Sequence, residues 1–134
     1  MTLEQAIQSR WADDVTLAAL VPSERLFASF APADAARPRV VVERRKTTPK
    51  LRGSGGLRAE LVELAFTVDA ANYDEAAVIG AAVADAFDGV DFDAGEVRVA
   101  AMRWSEERRA RSAGDAGDRE AVRWELVYEV VVCS

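Results

Sequence analysis

The sequence predicts an α+β fold, with two helices packed on one face of a mainly antiparallel sheet of four to five strands. Some segments repeat apolar residues every three or four positions, as helices do, and others alternate apolar and polar residues singly, as half-buried strands do. The predicted order is helix, strand, strand, helix, strand, strand, so neighbouring strands can pair as hairpins. A chain of 134 residues, half of them apolar, is expected to form one domain, residues 1–134.

The first helix is predicted to begin at the N-terminus. Thr2 and Gln5 have the spacing of a capping box. Asp13 or Asp14 is expected to cap a second helical piece, which Pro22 ends. The apolar residues of the first piece recur at four-residue spacing, and they are Leu3, Ile7 and Trp11.

Four strands are predicted after a Pro-rich connector that contains a short extended piece at Arg25–Phe30. The first is RVVVERR after Pro38, and the third is EVRVAAMRW, residues 96–104. Single alternation marks the second strand by Val62, Leu64, Phe66 and Val68, and the fourth by Val122, Trp124, Leu126, Tyr128, Val130 and Val132. Two connections are predicted between paired strands: a flexible basic hairpin tip at 46–56 and a long charged hairpin loop at 105–120.

The second predicted helix, DEAAVIGAAVADAFDG, follows the second strand. Asn72 or Asp74 is expected to cap it, and Gly89 is well placed to end it. Its apolar stripe recurs every four residues, at Ile79, Val83 and Phe87.

Charge is unevenly distributed along a chain whose net charge is −6. Between Arg37 and Arg58 there are eight basic residues and a single acid, Glu43. Between Ala59 and Val97 there are ten acids and no base. We therefore expect a positive arm and a negative body.

The residues indicate no catalytic, cofactor or metal site, and we expect a protein that is not an enzyme. The chain has no histidine, so the usual general base and zinc ligand are absent. GSGG, residues 53–56, lacks the Lys-Ser/Thr of a phosphate loop, and DFDAGE, residues 91–96, lacks the ligand spacing of a calcium loop. Cys133 is predicted to lie near a strand end without a partner base. No export signal is predicted, because the opening MTLEQAIQSRW is polar and acidic and lacks a basic region followed by an apolar one. No membrane span is predicted, because the longest apolar run is short and is interrupted by Asp85.

The basic arm, Arg44 to Arg58, has three interpretations: a solvated loop, a nucleic-acid footprint, or a docking element for acidic surfaces of another copy. The absence of interleaved aromatic residues weakens the nucleic-acid interpretation. As hypothetical interface residues we take Arg44, Arg45, Lys46, Lys50, Arg52 and Arg58, with Arg108, Arg109 and Arg111 of the second loop as lesser candidates. The hypothetical acidic counter-surface consists of Glu60, Glu63, Asp69, Asp74 and Glu75.

The overall pattern resembles tail-completion and tail-terminator proteins of long-tailed bacteriophages. The resemblance rests on the opening LEQAIQSRWADDVTLAALV, the Pro-rich step before RVVVERR, the strand LVELAFTVDA, the helix YDEAAVIGAAVADAFDGV and the closing hairpin. It spans almost the whole chain, but its motifs are patterns of apolar and small residues. The basic arm departs from the pattern that carries the resemblance.

The resemblance implies a structural protein of a phage or prophage virion, located where the tail meets the head. It further implies a homo-oligomeric ring, expected to be a hexamer, that terminates the tail tube and joins it to the head connector. The implied partners are other copies of the chain, the tail-tube protein and the head–tail connector protein. DNA would pass through such a ring without specific binding. The alternatives are another neck or tail ring adaptor, or a nucleic-acid-binding module that uses the arm.

Overall fold

The computed structural model describes residues 2–32, 34–52, 58–111 and 121–133. A 3-10 turn, Ser23–Arg25, lies between the helices and the first strand. The elements in chain order are α1 (Leu3–Asp13), α2 (Val15–Leu20), β1 (Leu26–Ala28), β2 (Arg39–Arg52), β3 (Arg58–Ala70), α3 (Tyr73–Phe87), β4 (Phe92–Ala94), β5 (Val97–Arg111) and β6 (Val122–Cys133).

The predicted helix ends are confirmed by their capping contacts. The Thr2 hydroxyl accepts a hydrogen bond from the Gln5 amide, and the Gln5 side chain accepts one from the Thr2 amide. Asp14 caps α2 and Asn72 caps α3, which settles the two alternatives at each of those sites. At the other end of α3, Gly89 has a φ of 74°, the left-handed conformation that glycine adopts most readily after a helix.

Within the described residues, the sheet has six strands in the order β1-β2-β3-β6-β5-β4. Its pairings are antiparallel except that of β1 with β2, which is parallel. The α+β class and the mainly antiparallel sheet are therefore confirmed. The predicted count of four to five strands is wrong, because the three-residue strands β1 and β4 add one edge each. The helical part comprises three α-helices, since the first predicted helix is two separate ones.

One face of the sheet packs against the helices and forms the core. The apolar residues predicted for β3 are buried there, and so is the α3 stripe. Trp11 of α1 lies at the centre, 6.1 Å from the ring of Phe66 and 6.3 Å from that of Phe87. Its indole nitrogen donates to the Val21 carbonyl at 2.9 Å, which ties α1 to the end of α2.

Both long hairpins contain more strand than predicted. β2 continues through Arg52 and β5 through Arg111, so residues 46–52 and 105–111 are paired strand. Charged residues favour loops, but opposite charges across paired strands offset that preference, as where Arg108 lies opposite Glu125. The remainders of the two predicted loops, 53–56 and 112–120, lie outside the described residues.

The two hairpins extend from opposite ends of the sheet. Ala59 of β3 pairs with Cys133 at the end of β6, while Ala70 pairs with Val122 at its beginning. The β2–β3 hairpin therefore lies at the end where β6 finishes, and the β5–β6 hairpin lies at the end where it starts. Within the described residues, no helix combines the length and apolar character needed to cross a bilayer.

Candidate interaction surfaces

The first two residues of the predicted basic arm are engaged within the chain. The Arg44 side chain lies on the helix side of β2, with its Nε 3.2 Å from Oε1 of Glu4 in α1. Arg45, at a bulge in β2, lies on the other side, where it donates to Glu125 of β6 and approaches Glu43 at 3.7 Å. Arg44 and Arg45 therefore help to hold the sheet and its helices together.

The Arg45–Glu125 pair changes the ionisation of both groups. The hydrogen bond from Arg45 lowers the pKa of Glu125 below its ordinary value, and the positive charges of Arg45 and Arg108 act in the same direction. The same hydrogen bond raises the pKa of Arg45. The pair is partly exposed to solvent, so its contribution to stability is modest.

The outer part of the basic arm, beyond Arg45, is exposed to solvent. Lys46 and Lys50, the two lysines of the chain, are both exposed on β2, as is Arg58 at the start of β3. Lys46 lies opposite Glu63 in the strand pairing, whereas Lys50 lies at a register shift between Pro49 and Leu51. The side chains of Arg52 and Arg111 are outside the described part of the structure.

Asp69 belongs to the interior and not to an acidic surface. It is 3% exposed, and arginines from three segments surround its carboxylate. Arg37 Nε lies 3.0 Å from Oδ1, Arg39 Nη2 lies 2.9 Å from Oδ2, and Arg123 Nη2 lies 3.6 Å from Oδ2. Asp69 must be removed from the predicted counter-surface, because this burial leaves it inaccessible to a partner.

The other predicted acids do not form one continuous patch. Glu60 and Glu63 lie on opposite sides of β3, because side chains alternate along a strand. Asp74 and Glu75 lie in the first turn of α3, where negative charge is favourable to the helix. The Glu75 carboxylate also accepts a hydrogen bond from the Ala71 amide at 3.0 Å.

A groove lies between α3 and β5 on the helix side of the sheet. It forms because α3 packs mainly over β3 and β6, which leaves the helix side of β5 partly uncovered. Trp104 of β5 is 48% exposed beside it. The groove has a volume of about 360 Å³ and is lined by Tyr73, Ala77, Gly80, Ala81 and Ala84 of α3, by Asp88, and by Trp104, Glu107, Arg109, Trp124, Leu126 and Tyr128.

Aromatic and cationic side chains that contact one another line one end of this groove. The rings of Tyr73 and Trp124 meet edge to face, with centroids 5.0 Å apart. The Arg109 guanidinium lies 4.1 Å from the Trp124 ring centroid and donates to the Tyr73 hydroxyl at 2.7 Å. Glu107 accepts from Arg109 at 3.0 Å. Burial raises the pKa of Tyr128 at the groove floor, so its hydroxyl stays protonated at neutral pH.

A second uncovered apolar feature lies at the opposite edge of the sheet. Phe30 follows the edge strand β1 and is 76% exposed. The preceding residue, Ser29, has a φ of 71°, a conformation that residues with a side chain rarely adopt. The Ser29 amide donates to the Val42 carbonyl at 2.9 Å, which anchors the turn to β2.

Comparison with known proteins decides the family. The sequence model of the family described as "Tail completion protein gp17" matches residues 5–132. The chain belongs to this family. A comparison with curated protein sequences gives no match.

A solved structure shares the fold of this tail completion protein. It is a chain described as part of the virion of a native gene transfer agent particle. The two align with a TM-score of 0.74 and 22% sequence identity, over 98% of this chain and 95% of that one. The family identifies this tail completion protein as a structural component of a phage-like virion, located in its tail or neck region.

The side chains that could bind a metal ion are not grouped in the described part of the chain. Among the described residues, no group of three or more His, Cys, Asp or Glu side chains is placed to hold an ion. Asp91 and Asp93, from the sequence that resembles half of a calcium loop, instead flank Arg98 at 3.2 Å and 2.9 Å. Cys133 is a free, partly buried thiol.

Two surface features of this tail completion protein were not predicted from its sequence: the groove and the exposed Phe30. Arg109 was predicted only as part of a loop surface, yet it stacks on an aromatic ring from another strand. A large aromatic residue inside a Pro-rich, small-residue connector was the one available signal for Phe30, since such connectors seldom need one.

Proposed function

We propose that this tail completion protein forms a closed ring that terminates the tail tube and joins it to the head connector. The observation that carries the proposal is the opposite charge of two surfaces. Residues 23–30 and 39–50, along β1 and β2 at one sheet edge, contain six basic and two acidic residues. Residues 72–93, which form α3 over β3 and β6 and lead into β4, contain six acids and no base.

Two unlike surfaces favour head-to-tail association of identical subunits. A contact between two different surfaces leaves one of each unused on the resulting dimer, so further copies add until the arrangement closes. Opposite charge on the β1–β2 edge and on α3 steers this orientation and disfavours contacts between like surfaces. The family resemblance implies six subunits, and that number remains a prediction.

In this proposal the outer part of the basic arm contacts acidic groups of the adjacent subunit or of the tail tube. Lys46, Lys50 and Arg58 are its exposed members, while Arg52 shares the hairpin with them. Asp74 and Glu75 at the start of α3 remain candidates for the counter-surface, as does Glu63. Arg108, Arg109 and Arg111 lie on the other hairpin, which extends from the opposite end of the sheet and therefore suits contact with the opposite side of the ring.

The proposal is tested by the mass of the protein alone and on tail tubes. Mass photometry across concentration, followed by electron microscopy after mixing with the tail-tube protein, should show one closed oligomer that sits at tube ends. A variant with Lys46→Gln and Lys50→Gln should associate about tenfold more weakly, because neutralising rim charges removes part of the steering and attraction.

The matched control is Arg103→Gln, which removes an exposed positive charge from β5, away from the arm. This variant should assemble like the wild type. A wild-type protein that never oligomerises and never caps tubes would contradict the ring. Capping that is equal in the two-lysine variant and the wild type would keep the ring and overturn the role of the arm.

Nucleic-acid binding through the arm is the alternative function, and the same two-lysine variant tests it. Arg44 and Arg45 each already face a carboxylate of the same chain, which reduces the positive charge they offer to phosphates. A DNA titration should therefore show weak binding with little dependence on salt. A steep salt slope that is lost in the two-lysine variant would favour the nucleic-acid module instead.

A further inference from the structure

The groove between α3 and β5 has the properties of a binding site for an apolar side chain. Small residues of α3 form one wall, which permits close approach by an incoming group. Trp104 forms part of the other wall while remaining 48% exposed. Exposed aromatic surface of this kind marks interaction sites on soluble proteins.

Phe30 has the properties of an inserting side chain. It is 76% exposed, and the turn that presents it is fixed by two short contacts: Ser29 donates to Val42 and Phe30 donates to Ala28, each at 2.9 Å. The positive φ of Ser29 costs free energy that the surrounding hydrogen bonds must offset. The turn therefore holds an aromatic ring in solvent at a cost in free energy.

The two features lie on opposite sides of the molecule. Phe30 follows β1, at one edge of the six-stranded order, and the groove borders β5, next to the other edge strand. A two-fold symmetric contact would have to bury both Phe30 side chains in both grooves at once, which two features on opposite sides of the molecule do not favour. A head-to-tail contact engages one of each at every junction.

We propose that Phe30 of one subunit inserts into the α3–β5 groove of the next subunit and forms the apolar centre of the subunit interface. This inference rests on the proposed ring and names the contact that would build it. The occupant is a second copy of this chain because exposed charges of opposite sign lie near the two features. β2, to which the turn before Phe30 is anchored, carries the exposed Lys46 and Lys50, whereas α3 beside the groove contributes Asp74, Glu75 and Asp85 and no base.

Two substitutions separate the two halves of the contact. Phe30→Ser removes the inserting side chain, and Ala81→Arg fills the groove from an exposed helix position without removing any aromatic contact. Each should raise the dissociation constant for self-association about thirtyfold or more, as truncation of a central aromatic anchor does. Val15→Ser is the matched control, since Val15 is 85% exposed on α2 and belongs to neither surface.

Mixing the two variants tests the head-to-tail geometry. Phe30→Ser keeps an intact groove and Ala81→Arg keeps an intact Phe30, so an equimolar mixture can form one good junction and no second. Sedimentation velocity should therefore find each variant monomeric alone and the mixture dimeric, with no larger ring. Circular dichroism and thermal unfolding on each variant establish that the fold is retained.

The outcomes distinguish this inference from the ring itself. A wild type that forms rings, with Phe30→Ser assembling equally well, would overturn the inference and leave the ring standing. A mixture that is as monomeric as its components, while the wild type assembles, would likewise overturn it. A wild type that is monomeric at every concentration and on tail tubes would overturn the ring and the contact together.

Discussion

The basic segment from Arg37 to Arg58 has two halves with different roles. Arg37 and Arg39, at its beginning, surround the buried carboxylate of Asp69. Lys46 and Lys50, further along β2, are exposed. In the sequence, both halves form one block of positive charge. In the fold, the first half pairs with a buried carboxylate of the same chain, whereas the second half is accessible to partners.

The difference follows from where each half lies along the sheet. The first half of β2 pairs with the end of β3, where Asp69 lies directly opposite Arg39. Beyond the bulge at Arg45, β2 pairs with the beginning of β3, and its side chains are mostly exposed. Charge that is buried must be paired within the chain, whereas exposed charge can serve assembly.

The largest expected effect comes from removing the buried carboxylate. Asp69→Ala leaves Arg37 and Arg39 as partly buried positive charges without their shared partner, which should lower the free energy of unfolding by about 3 kcal/mol. Urea denaturation followed by circular dichroism measures the change. Asp85→Ala, at an exposed position of α3, is the control and should change stability by less than about 0.5 kcal/mol. An Asp69→Ala protein as stable as this control would show that the first half is not structural.

A smaller effect is expected at the junction of the two halves. Arg45 lowers the pKa of Glu125, so the folded state holds this proton less tightly than the unfolded state, whose value lies near 4.5. The stabilisation is complete above that pH and is lost as the pH falls through the lower folded-state value. For a partly exposed pair its size should be about 0.5 to 1 kcal/mol.

The Glu125→Gln variant isolates that contribution from the other carboxylates. Denaturation at pH 7 and at pH 3 should show a smaller loss of stability on acidification for the variant than for the wild type. Identical pH dependence of the two proteins would indicate that the Arg45–Glu125 contact is absent in solution.

The smallest effect on stability is expected in the second half. The variant with Lys46→Gln and Lys50→Gln should retain the wild-type free energy of unfolding within about 0.5 kcal/mol, because exposed side chains away from buried features contribute little. Thermal and urea unfolding measure it. A loss of more than about 1 kcal/mol would mean that the lysines belong to the fold, and the contrast between the halves would fail.

The sequence predicted an element correctly where the residues of that segment alone determine its structure. Capping residues such as Thr2 and Asn72, and the strict alternation of β3, depend on local chemistry and could be predicted. The three-residue strands carry too little pattern, and the charged half of β5 is held in the sheet by pairing with β6. Burial of Asp69 depends on three arginines brought together by folding, so alternation alone placed it on the wet side of β3.

The candidate surfaces were less predictable than the fold. The groove combines α3 with two strands that follow it in the chain, and its relation to Phe30 exists only in the strand order of the sheet. What the sequence did offer was the polarity of charge along the chain, and the structure places the basic part on the β1–β2 edge and an acidic part on α3.

The most direct test of the account is acetylation of the two lysines before and after assembly. Since Lys46 and Lys50 are the lysines of the chain, a brief pulse of an amine-acetylating reagent can be read on the arm by peptide mass spectrometry, which separates these two residues from the N-terminal amine. The account predicts rapid acetylation of both residues in the free protein and strong protection once the protein caps tail tubes. Equal acetylation in free and assembled protein would contradict it.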